Sequence, residues 1–185
     1  MKRLLIRATL GIASIRLLSP ALAAQQAAAS APAVATPAPK PCSAPENRQF
    51  DFWVGNWDVF NSQGQLEGSN DVRSILDGCV VQENWTGKGG MSGTSFNAWD
   101  APAKKWRQSW VDNRGLVLLL DGEFRVGKMV LEGRRPGKKA GTVIDRIQWQ
   151  RIGGDPNRVR QLWEESADGG KTWEIAFDGT YVRKS

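Results

Sequence analysis

The chain has 185 residues, with 25 Lys+Arg against 19 Asp+Glu, two cysteines, nine tryptophans and no histidine. That length suits one domain with short extras. The missing histidine excludes a Ser-His-Asp triad, a Cys-His pair, an H-E-x-x-H zinc site and a haem on a proximal imidazole, and two cysteines are too few for a Cys-rich metal centre.

Residues 1–23 carry Lys2, Arg3, Arg7 and Arg16 and no acid, so the remainder is near neutral, with 21 basic and 19 acidic side chains. No nucleic-acid partner is expected from that balance. Met1-Lys2-Arg3 is a basic start, Leu4 to Leu22 is mostly apolar, and Ala21-Leu22-Ala23 forms a small-x-small cleavage site. Together they read as a secretory signal peptide over 1–23, which predicts a periplasmic or secreted protein. Arg7 and Arg16 interrupt the apolar stretch, so no retained membrane span, which needs about 20 apolar residues, is expected. Cys42 follows Pro39-Lys40-Pro41 and lacks the small apolar residues that precede a lipid-attachment cysteine.

Residues 24–41 are dominated by alanine and proline and read as a disordered spacer. The folded domain is expected over 42–185. Cys42 and Cys79 are lone thiols in an exported chain, and such pairs usually join. A bridge would stabilise by roughly 3–4 kcal/mol on the chain-entropy argument and clamp the start of the domain onto a strand beginning at Cys79. The alternative is two buried or free thiols.

A short helix is conceivable around Pro45 to Phe52. Beyond it, period-two alternation predicts strands at 54–61, 66–76, 79–86, 92–99, 104–112, 116–123, 128–134, 142–152, 158–166 and 172–183. Gly, Asn, Asp and Pro clusters separate them. The expected fold is all-β, an antiparallel up-and-down barrel of about ten strands, since a long meander loses its edges best by closing.

Alternation also sorts the faces. Trp106, Gln108 and Trp110 oppose Lys105, Arg107 and Ser109; Val159, Gln161, Trp163 and Glu165 oppose Arg158, Arg160 and Glu164. Trp173, Ile175, Phe177 and Tyr181 oppose Thr172, Glu174, Asp178 and Thr180, and Glu83 shares a face with Trp85. Charged rows face water, so the tryptophan rows face inward. Tryptophan, amide and carboxylate on one inner wall suggest a cavity. Tryptophan as core filler, with glutamine satisfying backbone groups, is the alternative.

Phe50-Asp51-Phe52-Trp53-Val54-Gly55-Asn56-Trp57-Asp58-Val59 resembles the G-x-W opening of the calycin barrels, the lipocalins and their relatives. The resemblance implies that Trp57 plugs one barrel end beneath an arginine from the last strand, for which Arg183 is the candidate, and that Gly55 and Trp57 are structural. Residues 42–184 also resemble exported bacterial proteins of unknown function that open F-D-F-W-x-G-x-W-x-V. Haem-binding nitrobindins are similar in opening but hold iron through a histidine, so haem of that kind is excluded. Ser166-Ala167-Asp168-Gly169-Gly170-Lys171-Thr172-Trp173 matches the Asp-box of sialidases and other propellers, which implies a tight turn capped by Asp168. About 140 residues cannot build a six-bladed propeller, so sialidase activity is not expected.

Arg134-Arg135-Pro136-Gly137-Lys138-Lys139 is read as a solvated basic hairpin tip, with anionic lipid or polysaccharide contact as the alternative. Glu164 and Glu165 point to opposite faces and cannot form a dyad. Gly89-Gly90-x-x-Gly93 precedes no helix and so offers no phosphate site.

The expected function is binding of a small, sugar-like or amphiphilic aromatic molecule by Glu83, Trp85, Trp106, Gln108, Trp110, Gln161, Trp163 and Tyr181, with no metal and no cofactor. One rival is an enzyme using Glu83, with Asp112 or Glu165, for proton transfer. The other is an envelope interaction domain with a filled barrel. A cavity with one desolvated carboxylate favours the enzyme, a roomy cavity without one favours binding, and a filled interior favours the interaction domain.

Overall fold

The computed structural model describes residues 40–137 and 141–185. The expected signal peptide, nearly all of the expected spacer, and Lys138 and Lys139 of the basic tip lie outside them. Ten strands follow in order: β1 Gly55–Phe60, β2 Leu66–Ile75, β3 Val80–Gly87, β4 Ser92–Asp100, β5 Lys105–Asp112, β6 Val117–Arg125, β7 Lys128–Pro136, β8 Thr142–Arg151, β9 Arg158–Ser166 and β10 Glu174–Arg183. Each pairs antiparallel with its sequence neighbours, and β1 closes onto β10 with Trp57 opposite Arg183 and Phe60 opposite Thr180. The result is the expected closed up-and-down barrel. No helix among the described residues is long and apolar enough to cross a membrane.

Two details correct the sequence reading. The helix around Pro45 to Phe52 is instead two short 3-10 turns, Pro45–Arg48 and Asp51–Trp53. Ile175 does not face inward. The register slips between Ile175 and Phe177, so Ala176 is an extra residue, Ile175 lies opposite Glu164, and its side chain is 65% exposed. A bulge of this kind reverses the alternation on one side of it. Phe177 and Tyr181, beyond the bulge, keep their inward parity opposite Trp163 and Val159.

One barrel end is filled by aromatics delivered by the 3-10 turns. Phe50 stacks on Trp53 at 5.0 Å and meets Trp106 and Trp149 edge-on at 5.7 and 5.2 Å. Trp57 is fully buried and donates its indole N–H to the Trp53 carbonyl at 2.9 Å. Above its ring lies the Arg183 guanidinium, 4.2 Å from the centroid, which also donates to the Val54 carbonyl at 3.1 Å. This cation–π contact ties the first strand to the last. Gly55 makes it possible: its φ is +150°, and a Cβ there would collide with the guanidinium.

The Cys42–Cys79 disulfide is present, with Cα atoms 5.0 Å apart, and fastens the plug to the start of β3. Arg48 adds a contact from the first 3-10 turn to the Gly78 carbonyl and an ion pair to Asp51 at 3.4 Å. Outside, cross-strand ion pairs such as Lys105–Asp121 and Arg160–Asp178 occupy the water-facing rows.

Candidate functional site

Toward the end opposite the plug, the barrel encloses a partly open cavity of about 220 Å³. Its floor is shared with the plug, since Trp149 and Tyr181 line it while touching Trp53. Met91, Leu118, Ala176 and Phe177, at or near hairpins of the other end, form its rim. Seven of the eight side chains expected at the site line this one volume: Glu83, Trp85, Gln108, Trp110, Gln161, Trp163 and Tyr181. They come from β3, β5, β9 and β10, which only closure of the sheet brings together.

Trp106 is the exception. It points inward and is buried, but it sits one turn of the alternation nearer the plug, packs on Phe50 and Trp99, and donates its indole N–H to Gln49 Oε1 at 3.0 Å. Alternation gives the face of a strand, whereas position along the barrel axis decides between plug and cavity.

The wall holds a continuous polar chain running around the interior. The Tyr181 hydroxyl donates to Gln161 Oε1. The Asn70 amide donates to Tyr181 Oη at 3.4 Å and to Glu83 Oε1 at 2.7 Å. Ser95 Oγ donates to Glu83 Oε2 at 2.8 Å, the Asn97 amide donates to Ser95 Oγ at 3.0 Å, and Gln108 Nε2 donates to Asn97 Oδ1 at 2.8 Å. Asn97 also donates to the Val81 carbonyl at 3.0 Å, which fixes the chain to β3. Six strands contribute: β9, β10, β2, β3, β4 and β5.

Glu83 is the electrostatic centre. It is 4% exposed, and burial raises its carboxyl from the ordinary 4.5 to about 7, against the opposing pull of the hydrogen bonds from Ser95 and Asn70. Burial likewise raises the Tyr181 phenol well above its usual range, with the neighbouring Glu83 charge adding to the effect. Gln108 Oε1, Asn70 Oδ1 and the indole nitrogens of Trp85, Trp110 and Trp149 have no protein partner. Buried polar atoms of this kind are ordinarily satisfied by water or a bound molecule.

Asn70, Ser95, Asn97 and Trp149 were not expected at the site. The signal for the first three lay in the sequence as polar residues on strand faces that also carry Val72 or abut Glu83, but it becomes readable only with the register, which sets Ser95 opposite Glu83 and Asn97 opposite Gln108. The indole of Trp110 has space because it lies over Gly93, where a Cβ would collide with the ring.

Beyond the cavity lining, Arg135 turns out not to be part of a solvated tip. Its guanidinium forks onto Asp145 at 2.9 and 3.3 Å and reaches Glu165 at 2.7 Å, while Trp163 donates to Asp145 Oδ1 at 2.9 Å. Asp145 is 1% exposed. Arg134, one residue earlier, is exposed. Asp168 caps the β9–β10 turn as expected, accepting from Ser166 Oγ, from the Lys171 and Thr172 amides, and from Thr172 Oγ1. These bonds, led by those of Thr172, pull its carboxyl down to about 2. Trp173, expected on the inward row, instead precedes β10 on the outside of the barrel, where it turns back to donate to the Gly170 carbonyl at 3.1 Å and lies under the Arg146 guanidinium, 3.8 Å from its centroid. No protein-family model and no curated protein matches the chain.

Proposed function

We propose that this is an exported barrel that binds a small organic molecule in its tryptophan-lined, partly polar cavity. The observation that carries this reading is the cavity itself, an aromatic pocket crossed by a buried polar chain, where a filled barrel would have had aliphatic packing. The closed ten-strand topology and the Trp57–Arg183 stack support a calycin-like relationship. The disulfide supports an oxidising compartment, periplasmic or extracellular. A screen of small amphiphilic and aromatic compounds, read by tryptophan emission and confirmed by calorimetry, tests the proposal. Binders should saturate at one site per chain, and a chemically broad screen without a saturable binder would refute it.

Proton transfer by Glu83 is a second reading, and the desolvated carboxylate favours it by the criterion drawn from the sequence. Binding stands first because both Glu83 oxygens already accept hydrogen bonds and the expected partner carboxylates are engaged elsewhere. Asp112 caps the β5–β6 turn by accepting from the Arg114 and Leu116 amides, and Glu165 holds Arg135.

A further inference from the structure

The charge and surface chemistry of the cavity narrow its occupant to one class. Six aromatic side chains line it: Trp85, Trp110, Trp149, Trp163, Phe177 and Tyr181. Among the lining residues Glu83 is the single charged group, and no lysine or arginine joins it. Arg135, which shares Asp145 with the lining Trp163, is held by Asp145 and Glu165 together, so that cluster carries one net negative charge. An anion entering such a pocket meets a carboxylate and no counter-charge. A neutral molecule can donate a hydrogen bond to the carboxylate but leaves its charge, whose burial is costly to the fold, uncompensated. A cation gains from both the aromatic faces and the carboxylate, in the manner of an aromatic cage.

Resting on the cavity reading above, we propose that the ligand is an organic cation, a substituted ammonium carried on a small apolar or aromatic body. The cation would sit against the indole faces with Glu83 as its buried counter-ion. The groups that face Glu83 are Asn70 from β2, Ser95 from β4 and, through Asn70, Tyr181 from β10. Of these only Tyr181 titrates, and it stays neutral far above physiological pH. Glu83 therefore sets the pH response alone. A cation favours the ionised carboxylate, so affinity rises as pH climbs through about 7 and binding expels the proton held below it.

The test compares three probes on the purified protein by calorimetry and tryptophan emission: phenyltrimethylammonium, its uncharged carbon isostere tert-butylbenzene, and benzenesulfonate. At pH 8.5 the cation should bind at least about ten-fold more tightly than the isostere, and its advantage should shrink toward parity at pH 5.5. The isostere's own affinity should be independent of pH. Glu83→Gln should abolish the pH dependence of the cation. If that variant fails to fold, the pH comparison on the native protein decides by itself. Equal binding of cation and isostere at pH 8.5, or tightest binding of the sulfonate, overturns the cation proposal and leaves the cavity reading standing. Failure of all three to bind likewise overturns the cation proposal, whereas the cavity reading falls only with the broad screen.

Discussion

Replacing Glu83 by Gln isolates the cost of keeping a carboxylate inside the barrel. A carboxyl raised from 4.5 to about 7 on folding holds its proton more tightly in the folded state than in the unfolded chain. Its contribution to stability is fully present below pH 4.5, where both states are protonated. It declines as pH rises between 4.5 and 7, where the unfolded chain ionises and the folded one resists. Above about 7 the loss is complete and amounts to about 3 kcal/mol, at about 1.4 kcal/mol per unit. Most of it falls between pH 5 and pH 8. Glutamine keeps the shape but does not titrate. It also alters the hydrogen bonds from Asn70 and Ser95, which adds an offset that does not vary with pH. The assay is urea unfolding of both proteins at pH 5 and pH 8, followed by tryptophan emission and extrapolated linearly. Native protein should lose roughly 2–3 kcal/mol relative to the variant on going from pH 5 to pH 8. Parallel pH profiles for the two proteins would show that Glu83 is not desolvated, and the electrostatic account of the cavity would fall with it.

Gln108→Leu should weaken a polar ligand by roughly 1–3 kcal/mol, by removing one partner of Asn97 and the free Oε1. Lys105→Ala and Arg107→Ala, which break outer pairs to Asp121 and Asp100, should leave calorimetric affinity unchanged, and equal effects from inner and outer substitutions would count against the cavity. Gly55→Ala should destabilise by about 1–3 kcal/mol, read as a lower Tm, since it strains the backbone and displaces Arg183 from Trp57; an unchanged Tm would refute the packing argument. Cys42→Ser with Cys79→Ser should cost roughly 3–4 kcal/mol in urea unfolding, and non-reducing peptide mapping of the native protein should recover the linked pair. Intact mass of protein recovered outside the cytoplasm should begin near Ala24, and a product retaining Met1-Lys2-Arg3 would remove the export proposal.

The strands were legible because one wall of the barrel is wet and the other is not. Trp106-Arg107-Gln108-Ser109-Trp110 declares its two faces residue by residue, and β5 runs Lys105–Asp112 where alternation places 104–112. Closure was legible only indirectly, from the edges a ten-strand meander would otherwise leave and from the resemblance of the G-x-W opening. The bulge at Ala176 was not, because it follows from the pairing of β10 with β9 and leaves no local mark beyond an apolar Ile175 on the water side. The polar chain was half visible. Glu83, Gln108 and Gln161 stood out as polar residues beside tryptophans, whereas Asn70, Ser95 and Asn97 became its links only through registers that no single strand carries.

The seam between β1 and β10 has four paired positions, against eight where β2 meets β3. It joins Trp57 to Arg183, so the ladder that seals the barrel needs nearly the whole domain to have been synthesised. Until then the early strands can form hairpins but cannot enclose the plug, and Trp57 waits without its guanidinium lid. The loop closed at the seam is the longest in the molecule, and long-range pairing of this kind delays folding until its ends are both free. A growing chain of this design therefore stays open for as long as its last strand is missing, and the Arg183–Trp57 contact forms only with the ladder that ends that interval.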